Sequence, residues 1–102
     1  MDNNKPVPIL LIEDEVADCI AFKNCAQSRT DIVFVGMTGC ASEGLENMQT
    51  MMPERVILDL ELHWGEGSGF QFLSELKKSN LKIRPIIIVT TNISSKTVYS
   101  NI

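Results

Sequence analysis

Pro8-Ile9-Leu10-Leu11-Ile12-Glu13-Asp14-Glu15 is the stretch on which the reading of this chain turns: an unbroken apolar run stops abruptly at three acids. A strand with one face in water alternates polar and apolar residues, whereas a strand covered on both faces reads as a continuous apolar run. Residues 8–12 are therefore expected to be a buried strand of a parallel sheet, and the acids stand where its carboxyl end would be.

Further runs of the same kind lie outward from it. Val56-Ile57-Leu58 delivers Asp59 at its end, and Pro85 opens Ile86-Ile87-Ile88-Val89, which ends in Thr90-Thr91. Another strand, Ile32-Val33-Phe34-Val35 within 31–37, is expected to close at Gly36. The intervals between strands have helical spacing. From Glu15 to about Gln27, Val16, Cys19, Ile20 and Ala26 fall roughly on one side, and acids at the start suit the helix dipole. Ala41, Leu45, Met48 and Met52 recur at helical spacing until Pro53, which cannot continue a helix. A loop rich in Gly and acid covers 61–69, then Phe72, Leu73 and Leu76 mark a helix to about Ser79. Ser94 or Ser95 would cap a last helix, inside which the chain stops at Ile102.

Strands alternating with amphipathic helices predict an α/β fold, a doubly wound parallel sheet with right-handed crossovers. The 102 residues suit one hydrophobic core, and no repeat or linker interrupts them, so 1–102 reads as a single domain. The net charge of -4 argues against nucleic acid or an anionic membrane as partner. No apolar run is long enough to cross a bilayer, and no signal-peptide pattern opens the chain. Cys19, Cys25 and Cys40, odd in number and without C-x-x-C spacing, read as small buried or half-buried thiols of a reducing cytosol.

Ligands of open parallel sheets bind beyond the carboxyl ends of the strands, where the winding reverses. In the order 2-1-3-4 that crevice gathers Glu13, Asp14, Asp59 and Thr90. At about 5 Å and an effective dielectric near 20, each carboxylate pair repels by roughly 3 kcal/mol. Either a pKa rises or a cation binds. An all-oxygen site suits Mg²⁺, while zinc would find only His63 as a nitrogen donor. With Mg²⁺ present, Asp59 at the end of the central strand is the natural nucleophile toward a phosphoryl group. The Thr90 hydroxyl is placed to donate to a phosphoryl oxygen.

Ile-Leu-Leu-Ile-Glu-Asp-Glu at 9–15, Val-Ile-Leu-Asp-Leu at 56–60 and Pro-Ile-Ile-Ile-Val-Thr at 85–90 together resemble the receiver domain of two-component response regulators. The resemblance runs essentially the length of the chain and implies a flavodoxin-like receiver fold. It implies Asp59 as the phosphoacceptor, Glu13 and Asp14 as the acid pair with Asp14 favoured as metal ligand, and Thr90 as the switch hydroxyl. The backbone carbonyl of Glu61 takes the place of a further metal ligand, and the implied partner is a histidine kinase or phosphotransfer protein. The chain departs from the family in stopping before a fifth strand, whose lysine and aromatic residue it therefore lacks; Lys96 is no substitute. The fold is thus expected without its last strand and helix, with the fourth strand an open edge that invites a dimer or a domain swap. His63 replaces the usual proline, the loop through Trp64 is longer than usual, and Thr91 stands where a smaller residue is common.

Other readings are weaker. Gly65-x-Gly67-x-Gly69 lacks the phosphate-loop spacing and reads as a turn-forming loop. Met48, Met51 and Met52 read as core filler with one exposed member. A non-phosphorylated pseudo-receiver acting as a protein-interaction module is the principal alternative function. A haloacid-dehalogenase-like phosphatase would need D-x-D after the first strand, and acids there would repel the phosphate of a flavodoxin's nucleotide.

Overall fold

The computed structural model describes residues 5–62, 68–81 and 84–90. Seven elements alternate along them: β1 (Val7–Ile12), α1 (Val16–Gln27), β2 (Ile32–Thr38), α2 (Ala41–Met51), β3 (Arg55–Asp59), α3 (Gly69–Lys78) and β4 (Ile86–Thr90). The strands form one parallel sheet in the order β2-β1-β3-β4. This is the doubly wound arrangement expected from the pattern of runs. The expected last helix, Thr91, Lys96, His63 and Trp64 lie outside the described residues.

Alternation along β1 sorts the two faces. Leu10 and Ile12, with Val56 and Leu58 of β3, meet Ala41 and Met48 of α2 and Phe72 and Leu76 of α3 in one buried cluster. Ile9 and Leu11 point the other way and are equally buried. Phe34 of β2 is the register partner of Ile9, and Phe22 of α1 meets it edge-on at 6.5 Å, which places α1 on that second face.

Three expectations are corrected. The second strand does not close at Gly36. Its pairing shifts by one residue between Ile9 and Leu10, Gly36 falls opposite Leu10, and the ladder continues to Thr38. A Cβ at Gly36 would lie 3.0 Å from Leu10 Cδ1, so the glycine marks a bulge and not a strand end. The apolar side of α1 is only partly covered: Cys19 and Ala26 are half-buried, while its other two members stand in solvent. The helix buries no residue, and Val16 and Ile20 are 59% and 53% exposed. Finally, Met48 is buried but both Met51 and Met52 are exposed. Met52 is not a helical residue: it caps α2 in the left-handed region (φ 47°), ahead of the proline that excludes it from the α region.

Candidate functional site

The crevice forms where the winding reverses, between β1 and β3. Past the last residue of β1, Glu13 N–H donates to the Thr38 carbonyl at 2.9 Å, which carries the ladder one step beyond the strand. The Cys19 thiol donates to the Glu13 carbonyl at 3.4 Å. The main chain of Glu13 is thus held by β2 on one side and α1 on the other, and its side chain is delivered to the crevice with that of Asp14. On β3, Asp59 is the register partner of Thr90, and Leu60 N–H donates to the Thr90 carbonyl at 3.2 Å.

Glu13, Asp14 and Asp59 are buried, at 6%, 8% and 6% exposure. Each offers a carboxylate oxygen within 4.8 Å of the others, and they are the metal-competent cluster among the described residues. The two halves of the site, 45 residues apart in sequence, meet because β1 and β3 are neighbours. Burial pushes the Glu13 carboxyl from its usual 4.5 up to about 7. A hydrogen bond with the Asp59 side chain acts in the same direction, and the N–H of Glu15, 3.1 Å from Oε2, acts against it. Burial and the neighbouring Asp59 thus both favour the protonated form of Glu13. Asp59 Oδ1 accepts the N–H of Glu61 at 2.9 Å, which fixes the orientation of the carboxylate.

The sequence-predicted residues fall into three groups. Glu13, Asp14 and Asp59 come together. Thr90 stands beside Asp59 across the ladder, with its hydroxyl resting on the Leu58 carbonyl at 3.4 Å. Glu61 is tied to the Asp59 carboxylate through its backbone N–H, and its side chain is not in the acid cluster.

Thr38 was not singled out by sequence reasoning. Buried at 8%, it accepts from Glu13 through its carbonyl and donates its hydroxyl to Glu43 Oε1 at 2.5 Å. A polar residue ending an otherwise apolar strand was the available signal, obscured by the misplaced end at Gly36. Cys19 was expected on a helical stripe and, like Cys25 and Cys40, as a small buried or half-buried thiol; Cys19 and Cys40 are half-buried, whereas Cys25 is exposed. Burial and the surrounding acids push the Cys19 thiol pKa up, which makes it a poor nucleophile and a suitable hydrogen-bond donor. A groove of about 350 Å³ opens beside the acids between α1 and the end of β2, walled by Val16, Ile20 and Met37.

Residues 9–102 match the sequence model of the response regulator receiver domain family. The nitrate/nitrite response regulator protein NarL of Escherichia coli (strain K12) is 27% identical over 92 residues, covering 90% of this chain and 42% of that protein. The sensory transduction protein LytT of Bacillus cereus is 26% identical over 83 residues, 81% of this chain and 32% of that protein. The chain spans less than half the length of these curated relatives. Among solved structures, the response regulator domain of Thermotoga maritima CheB superposes with a TM-score of 0.72 at 18% identity, covering 94% of this chain and 71% of that one. The isolated receiver domain of RcsB from Salmonella enterica serovar Typhimurium gives 0.73 at 16% identity, over 93% and 68%. At such identities these two likenesses are of fold alone.

Proposed function

The chain belongs to the response regulator receiver domain family, and we propose that it takes a phosphoryl group onto Asp59 from a histidine kinase or phosphotransfer protein, with Mg²⁺ alongside. Receiver domains of this kind are signalling modules of two-component systems, not metabolic enzymes. The observation that carries the finer reading is the meeting of three buried carboxylates, within 4.8 Å of one another, at the point where the sheet reverses its winding.

The donor set fits a small hard cation. It is all oxygen, and burial, with Asp59 beside it, raises the Glu13 carboxyl to about 7, so an ionised Glu13 gains from a cation. Asp14, Asp59 and Glu13, with the Glu61 carbonyl, would hold the ion. When bound, Mg²⁺ supplies positive charge that offsets the acids and the charge on the transferred oxygens. The rest falls to the chain. An oxygen of Asp59, oriented by the Glu61 N–H, attacks phosphorus in line. The P–N bond to the donor imidazole breaks, and its electron pair stays on the imidazole nitrogen. Thr90 leaves the Leu58 carbonyl to donate to a phosphoryl oxygen, and that rearrangement is the signal. In the same reading, 1–102 is one cytoplasmic domain with no nucleic-acid or membrane partner, and the open edge of β4 pairs or swaps with a second copy.

Incubating the folded protein with Mg²⁺ and phosphoramidate, then weighing it intact, tests this. One added phosphoryl group is expected, absent without Mg²⁺ and absent in Asp59→Asn. A folded chain that binds Mg²⁺, monitored through its single tryptophan, but gains no phosphoryl group would overturn the transfer. A folded chain that does neither would leave the non-phosphorylated interaction module.

A further inference from the structure

We infer that Gly69, the first residue of α3, is a positioning residue for the acceptor, and that the absence of a side chain there sets where Asp59 and Glu61 stand relative to Glu13 and Asp14. This rests on the proposed acidic phosphoacceptor site and adds a residue to it.

A Cβ built on Gly69 would lie 2.6 Å from the Asp59 carbonyl oxygen and 2.7 Å from the Leu60 Cα. Both neighbours are backbone atoms, so no side-chain rotation relieves the contact. Segment 59–61 has little freedom to retreat. Leu60 N–H is bonded to the Thr90 carbonyl at 3.2 Å on the β4 side, and Glu61 N–H to Asp59 Oδ1 at 2.9 Å. Gly69 is itself held. Ser68 caps α3 by accepting from Gln71 N–H at 3.2 Å, and Phe72, two residues on from Phe70, is fully buried in the core cluster. The start of α3 is therefore a wall against which the turn carrying the acceptor rests. Any atom added at 69 moves either the wall or the turn, and the turn carries the carboxylate. Helix propensity works in the opposite sense, since alanine is a better helix former than glycine. A loss in Gly69→Ala therefore reports the crowding.

The comparison pairs Gly69→Ala with Gly44→Ala. A Cβ at Gly44 would lie 2.7 Å from Ile12 Cδ1 and 3.1 Å from Phe72 Cε1, so it crowds side chains of the core and not segment 59–61. Each variant is measured for thermal stability, for Mg²⁺ affinity by calorimetry, and for hydrogen exchange of the Glu61 amide in metal-free protein. Gly69→Ala is expected to weaken Mg²⁺ binding by about tenfold or more and to speed Glu61 exchange by about tenfold. The Glu13 amide, bonded to Thr38, should keep its protection. Gly44→Ala should lose stability while keeping both site readouts within about twofold. Wild-type values in Gly69→Ala would overturn the inference, as would losses that track stability equally in the two variants. If the wild-type chain binds no Mg²⁺, the metal reading fails by itself, and the Glu61 amide alone then decides for or against Gly69. If Gly69→Ala does not fold, Ser68→Ala loosens the same contact from the helix side. Unchanged Glu61 protection there would overturn the inference.

Discussion

Glu13 is where the chemistry of single residues is most exposed to measurement. Its carboxyl is raised from 4.5 to about 7, first by burial and then by Asp59. A raised acid stabilises the fold while protonated. That contribution is complete below 4.5 and is lost as pH climbs through about 7, so the metal-free protein should become less stable over that window. A cation works against the same proton. Mg²⁺ affinity should rise with pH by up to about tenfold per unit below neutrality and then level off, with proton release visible as a buffer-dependent binding enthalpy. Glu13→Gln should flatten both trends, and an affinity independent of pH between about 5.5 and about 7.5 would contradict them. Asp59, Glu13, Asp14 and Thr90 were legible in the sequence because each ends an apolar run, and a parallel sheet collects such ends on one side. Thr38 and Gly69 were not. The signal at Thr38 was hidden by the bulge before it, and the missing Cβ of Gly69 matters only once distant segments touch.

At the scale of elements, continuous apolar runs proved the safest signal, because a strand covered on both faces has no other way to be written. β1, β3 and β4 fell where those runs are. Helical spacing said less. It grouped Val16, Cys19, Ile20 and Ala26 on one side of α1, but periodicity tells which residues share a side and nothing about whether a neighbour covers it. The difference has an energetic consequence. Replacing Val16 and Ile20 by glutamine should alter stability by no more than about 0.5 kcal/mol each, since both side chains are more than half exposed. Phe72→Ala in α3 should cost about 3–5 kcal/mol, because that ring is fully buried within the core cluster. Urea denaturation of the three variants measures both. A loss for the α1 pair approaching that of Phe72 would mean that α1 is covered by something.

At the scale of the whole molecule, β4 pairs with β3 and, among the described residues, with no other strand. Ile86, Ile88 and Val89 are 55%, 45% and 46% exposed there. Among the described residues β4 stands at an edge, where strands are commonly blunted by charge or proline. Association that grows with concentration is expected in sedimentation, and Ile88→Lys should abolish it while leaving stability within about 0.5 kcal/mol. A monomer at high concentration would remove the second-copy reading. The central position of β1 has one more consequence, and it concerns time. The first of the described strands takes both of its neighbours from later sequence, and the partner that completes the acid cluster arrives more than forty positions downstream. Contacts of such long sequence separation close slowly. Glu13 and Asp14 must therefore wait, side by side and without Asp59, until β3 has joined β1, so the carboxylate cluster is assembled only with that long-range pairing.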